Sequence, residues 1–337
     1  MTKEQAPVGQ NVNLIHTLRR NVPAVLIVGQ RPDPHIDAVR DVLLEWEINA
    51  VVLDRHGEDS LTVHCSREDT RINGCIATAN VNFECVRSVW WRVKPAVPSE
   101  FPGGSASREE AFRWHEWKAF LNGLPFLLPQ AKWVNPMRSH IEVSTKLRQL
   151  ALATAVGLDI PHTVITNSVA DCLPLFEKYG RVIYKTLSSF LVPPDAIIFT
   201  TEVAREQVMS EASSITLAPC IFQEYIEKDH ELRVTIVGDS VFTVMINSQG
   251  ARETAIDWRR DQCRNMYQQG NLRDETKSCL LEFQHRAGLL YGAYDLIVSK
   301  DGRDVFLECN PGGQWLWLER ATGCPISREV AKLLATV

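Results

Sequence analysis

The sequence predicts an α/β protein with α+β lobes, and three stretches carry that expectation. Ala24-Val25-Leu26-Ile27-Val28-Gly29 is an apolar run of strand length. Asp33 to Ile48 then places Ile36, Val39, Val42, Leu43 and Trp46 near helical spacing, and Ala50 to Leu53 is a second apolar run. Such a strand, helix and strand favour a parallel sheet with a right-handed crossover. In the middle of the chain, Ser139 to Val156 reads as a helix stopped by Gly157, and Asp159 to Thr166 as a strand. Val169 to Tyr179 is a helix ending at Gly180, and Arg181 to Lys185 another strand. Near the end, two pairs of apolar runs flank turn dipeptides. Leu232 to Asn247 turns at Gly238-Asp239, and Tyr294 to Val298 returns through Asp301-Gly302 into Val305 to Pro311.

The remaining stretches fill in around these. Leu61 to Val93 reads as short strands and hairpins, and Pro95 to Ser107 as a Pro/Gly/Ser-rich link. Helices are expected around Glu110 to Asn122, Thr276 to Gly288 and Ser327 to Ala335. The first twenty-odd residues are polar, carry Arg19-Arg20 and lead into no long apolar segment, so they read as a lead-in rather than a signal peptide. No internal repeat or low-complexity tract stands out.

Composition limits the function. At 337 residues the chain exceeds one ordinary core and divides into two or three lobes. A net charge of −5 has no polybasic signature, so nucleic acid and anionic membrane are not expected partners. No apolar run is long enough to span a bilayer. Nine cysteines, an odd number without CxxC spacing, point to reduced thiols in the cytoplasm rather than a disulfide framework or zinc site. The first strand is not followed by GxGxxG, so a dinucleotide fingerprint is absent.

Four groups of residues are candidates for chemistry. Alternation puts Glu308 and Asn310 on one strand face, and the hairpin return brings Asp295 alongside them. Three oxygen-bearing side chains suit Mg2+ shared with nucleotide phosphates, and the other reading is strand-end charges facing water. Cys309 alternates to the opposite face and is not expected to be a nucleophile. Lys146 and Lys185 suit phosphate oxygens, or are a solvated helix residue and a strand-end lysine. The run Gln223-Glu224-Tyr225-Ile226 can offer backbone groups to a purine edge, Glu231 can accept from ribose hydroxyls, and Arg233 can reach phosphate. An ordinary strand end is the alternative. No Ser–His–Asp arrangement is visible, and none of the nine histidines has a catalytic setting.

Taken in order from Lys146 to Asn310, this set resembles the ATP-grasp ligases. The resemblance implies an ATP-grasp fold in which a lead-in over 1–22 precedes a pre-ATP-grasp α/β domain over 23–133. A central lid lobe over 134–227 and a C-terminal lobe over 228–337 follow. It implies ATP and Mg2+ as cofactors. Lys146, Lys185, Gln223, Glu224, Tyr225, Ile226 and Glu231 would hold the nucleotide, and Asp295, Glu308 and Asn310 the metal. Lys185, Arg233 and Arg259 would serve the chemistry, Arg259 also reading as a surface arginine. Thr186 to Phe190 occupies the place of the phosphate-covering loop but lacks glycine. Ser88-Val89-Trp90-Trp91-Arg92-Val93-Lys94-Pro95, Glu109 to Leu121, Trp133-Val134-Asn135-Pro136, Asp257-Trp258-Arg259 and Asn310 to Trp315 resemble the microviridin-type, or graspetide, macrocyclases. The second arginine of the first motif is replaced by Val93. That branch implies a precursor peptide with a leader segment, Asp or Glu side chains joined to Ser, Thr or Lys, and a homodimer. A ligase adding a free amino acid or amine, and a silent nucleotide-binding partner, are the alternatives.

Overall fold

The computed structural model describes residues 25–54, 59–68, 70–76, 79–93, 108–187, 191–192, 196–197, 200–250 and 266–336. The expected lead-in, the Pro/Gly/Ser-rich link, Ser188 to Phe190 and Arg259 lie outside them. The chain divides into two compact units. One holds the residues up to Lys94 together with Glu109–Met137 and Ser327–Val337, and the other holds Arg138–Ile326 with 95–108.

In the first unit a four-stranded sheet runs in the order Ala50–Leu53, Val25–Val28, Ser88–Trp91, Lys132–Val134, with all neighbours parallel. Parallel strands covered on both faces have no polar side to alternate. Val25–Val28 is accordingly buried at every position. The helix Pro34–Glu45 starts where Asp33 leaves an extended backbone and its Oδ1 accepts from His35 N, with proline in the first turn. Ile36, Val39 and Leu43 are its buried stripe. A three-stranded antiparallel sheet, Ser60–Cys65, Thr70–Ile76 and Ala79–Asn82, accounts for the expected hairpins. The helix expected over Glu110 to Asn122 extends from Arg108 to Leu127 and places Leu121 and Leu124 in the core with Trp133. The last helix, Ile326–Ala335, joins this unit: Ser88 Oγ donates to Leu334 O at 2.7 Å, and Lys132 Nζ to Leu333 O at 2.9 Å.

Besides the short antiparallel pair Leu191–Val192 and Ala196–Ile197, the second unit carries two larger antiparallel sheets among the described residues. One is ordered Thr201–Val203, Val182–Lys185, Cys220–Glu224, Thr163–Thr166. Its Val182 and Phe222 pack with Cys172, Leu175 and Phe176 of the helix Val169–Tyr179. The other has five strands ordered Tyr267–Gln269, Ser240–Ile246, Lys228–Val237, Tyr291–Ser299, Asp304–Asn310. Leu232, Val234 and Ile236 face a core shared with Leu280 and Phe283 of the helix Asp274–Ala287.

Two expectations are corrected. The single helix over Ser139 to Val156 is two helices, Met137–Val143 and Lys146–Ala155. The Ser144 and Thr145 hydroxyls donate back to His140 O and Glu142 O, and Thr145 is extended at φ −89 and ψ 125, which ends one helix and opens the next. The strand over Asp159 to Thr166 is only Thr163–Thr166, because Pro161 offers no N–H to a ladder.

Candidate active site

The five-stranded sheet assembles a charged face by alternation. With Leu232, Val234 and Ile236 turned to the core, Glu231, Arg233 and Thr235 point the other way. Arg233 lies opposite Asp295 on the neighbouring strand, and Asp295 opposite Glu308 on the next. A bulge follows at Asp295/Leu296, where Leu307 is the extra residue. Arg233 Nη1 donates to both carboxylate oxygens of Asp295 at 2.8 Å, and Lys146 Nζ donates to Glu308 Oε2 at 2.7 Å. Burial works against charge on Arg233, but the Asp295 carboxylate more than offsets it, so its pKa is raised. Asn310 is exposed beside them, its Oδ1 accepting from Gly312 N at 3.0 Å. Cys309 faces inward as expected; burial pushes its thiol up, out of the nucleophile range.

Glu231 is not left open. It is 4% exposed and its Oε1 takes a hydrogen bond of 2.6 Å from Lys228 Nζ. Burial raises its pKa against the pull of Lys228 and the Ser248 hydroxyl. Lys185 stands in the other sheet, at the end of the strand Val182–Lys185 and in register with Ile221. The segment Gln223 to Ile226 is mostly occupied by its own sheet. Gln223 pairs with Thr163 and Ile183, and Glu224 accepts His162 N on its side chain while its own N–H reaches His162 O. Tyr225 N donates to Arg181 O, and the Arg181 guanidinium lies 3.6 Å from the Tyr225 ring centroid. At Ile226 the N–H has no partner among the described residues, while the side chain is buried with Ile297 and Val305, against which Leu307 packs. An unpaired amide over an apolar floor suits a purine edge.

Three residues receive no individual role from the sequence. His140 is a half-buried imidazole whose Nδ1 has no partner among the described residues and whose ring lies against Gly312; burial lowers its pKa to about 4. Gly313 is required by contact, since a Cβ there would stand 2.4 Å from Ala293 Cβ and 3.0 Å from Arg233 Nη2. Gln149 hydrogen-bonds both backbone groups of Cys309. The glycine had a sequence signal, the Pro-Gly-Gly run; the other two had none.

The donor set fits Mg2+. Two carboxylates and an amide oxygen are hard ligands of the kind Mg2+ takes. Among the described residues no group of three His, Cys, Asp or Glu is positioned to enclose a metal. Magnesium shared with a nucleotide commonly takes one or two carboxylates and fills its other positions with phosphate oxygens and water.

No protein-family model matches the chain. A structure of the Chryseobacterium gregarium RiPP-associated ATP-grasp ligase, in complex with ADP and a leader and core peptide, is similar at a TM-score of 0.83. It is 23% identical and covers 93% of this chain and 97% of its own. The Microcystis aeruginosa macrocyclase MdnC, bound with precursor peptide MdnA, is similar at a TM-score of 0.80 and 27% identity, covering 93% of this chain and 99% of its own. A probable alpha-L-glutamate ligase of Xylella fastidiosa is 25% identical over 214 residues, 60% of this chain and 68% of the relative. The chain has the ATP-grasp fold and is an ATP-dependent ligase, and its structural likeness lies with the graspetide macrocyclases.

Proposed function

We propose that this ligase closes rings in a ribosomally made precursor peptide by joining Asp or Glu side chains to Ser, Thr or Lys side chains. The observation that carries the reading is the quartet Lys146, Glu308, Arg233 and Asp295, in which Arg233 and the two carboxylates share a sheet face and Lys146 reaches Glu308 from a helix. A carboxylate resists attack because oxide would have to leave. Transfer of the ATP γ-phosphoryl group to its oxygen releases ADP and leaves an acyl phosphate; a hydroxyl or amine then adds to the carbonyl, loses its proton, and phosphate departs. Mg2+, when held by Asp295, Glu308 and Asn310, would neutralise charge on the transferring group. Lys146 and Lys185 would bind phosphate oxygens, Lys146 exchanging its Glu308 partner for them. The Ile226 N–H, with Gln223, Glu224 and Tyr225 fixing its strand, would meet adenine, and the buried Glu231 would set the ribose end. Arg233 would steady the acyl phosphate oxygens while Asp295 holds its guanidinium charged; Arg259 is assigned the same task on sequence grounds.

The peptide, its leader, a homodimer and a cytoplasmic setting belong to the same reading. Free thiols throughout the described cysteines accord with a reducing compartment. Among the described residues no helix is long and apolar enough to cross a membrane. The division into a pre-ATP-grasp domain, a lid lobe and a C-terminal lobe is retained as part of this proposal.

The test is mass spectrometry of the purified protein with ATP, Mg2+ and a peptide encoded beside its gene that carries Thr/Ser and Asp/Glu near its end. Loss of one water per ring is expected. Likeness to the alpha-L-glutamate ligase favours the second reading, addition of a free amino acid. A gain of amino-acid mass would establish that instead, and no ADP release with any peptide would leave a silent nucleotide-binding partner.

A further inference from the structure

Gln149 is 5% exposed on the helix that begins at Lys146. Its carboxamide makes three hydrogen bonds: Nε2 donates to Val143 O at 2.7 Å and to Cys309 O at 2.8 Å, and Oε1 accepts from Cys309 N at 2.9 Å. The strand Asp304–Asn310 is the edge of its sheet, and outward N–H and C=O groups on an edge have no ladder partner. A carboxamide offers a donor and an acceptor side by side, the pattern of a peptide group. Gln149 thus replaces an absent strand at one residue, and that residue stands between Glu308 and Asn310. Lys146 lies three positions earlier on the same helix, a spacing that puts both side chains on one face. The contact that seats Gln149 on Cys309 therefore also seats Lys146 on Glu308. The third bond ties in the end of the helix Met137–Val143, which carries His140.

We propose that Gln149 is a positioning residue for nucleotide binding: its amide-like clamp on Cys309 sets the distance between the Lys146 ammonium and the carboxylate pair. The proposal rests on the ATP-site reading above. Gln149→Met keeps the side-chain length and removes all three bonds. Gln149→Glu keeps an acceptor for Cys309 N but donates to a carbonyl only when protonated, and burial favours that form.

The experiment is calorimetric titration of the full chain with ADP and Mg2+ for wild type, Gln149→Met, Lys146→Met and the double variant, with circular dichroism melts confirming folding. Each single change is expected to weaken binding about tenfold. The double variant should be no weaker than Lys146→Met, because a residue acting through another adds nothing once that other is gone. Gln149→Glu should regain affinity relative to wild type between about pH 8 and pH 6, and it carries the test if Gln149→Met does not fold. Losses that multiply in the double variant, unchanged affinity in Gln149→Met, or a pH-independent Gln149→Glu would overturn the proposal. Wild type that binds no nucleotide would overturn the ATP-site reading itself, an outcome distinct from these.

Discussion

Each unit of this protein contains a buried arginine–aspartate pair, and the two differ in what surrounds the acid. In the first, Arg92 Nε donates to Asp33 Oδ2 at 3.1 Å with side chains 3% and 1% exposed. The other carboxylate oxygen is taken by His35, through its backbone N–H at 2.9 Å and its ring at 3.0 Å. In the second, Arg233 grips both oxygens of Asp295, whose side chain remains 15% exposed beside Glu308 and Lys146. A carboxylate committed to a helix cap and sealed from water is fixed. One at the mouth of a polar sheet face can take a new partner without exposing a buried charge. Accessibility of the acid, rather than strength of the pair, separates the two: Asp33 is 1% exposed and Asp295 15%.

That contrast can be broken experimentally. Asp33→Ala removes the carboxylate facing the buried Arg92 and uncaps the helix Pro34–Glu45, so the urea midpoint should fall by the equivalent of about 3–5 kcal/mol. Turnover per folded molecule should hold; loss of turnover at full stability would erase the distinction. Glu308→Gln should do the reverse, cutting peptide-dependent ADP release about 10²–10³-fold while the melting point changes little. Retained turnover in Glu308→Gln would remove that residue from the site. The smallest effect is a pH dependence. Burial lowers His140 from 6.5 to about 4, so between those values the unfolded chain binds a proton that the folded chain does not. Its contribution is present above pH 6.5 and is lost as pH falls toward 4, a ceiling on the order of 3 kcal/mol. Melts of wild type and His140→Phe across that range should diverge in slope; parallel slopes would discard the assignment.

What the sequence made legible was local or periodic. The run Val25–Val28 and the hairpin at Gly238 could be read because burial and turn chemistry are written in adjacent residues, and Gly238 adopts a φ of 58. The juxtaposition of Asp295 with Glu308 follows from alternation and a short return. Other features depend on partners far away. The break at Ser144-Thr145 is set by hydroxyls that could equally have faced solvent. Gln149 has meaning only once Cys309 is known to sit on an edge, 160 residues on. Lys185 could be matched to phosphate by type, yet its strand belongs to a different sheet from the carboxylates. Composition offered no hint of His140, because its burial is made by Gly312 and the loop after Asn310.

The return of Ile326–Ala335 to the first unit bears on how the chain is made. Synthesis is vectorial, and domains generally fold as units as they emerge. Here the strand bearing Ser88 and the lysine at 132 wait for carbonyls at Leu334, Leu333 and Thr336. A chain that has emerged only as far as residue 326 holds all of the second unit while the first still lacks its final helix. Ser88, 246 positions ahead of Leu334, is therefore made early and secured late.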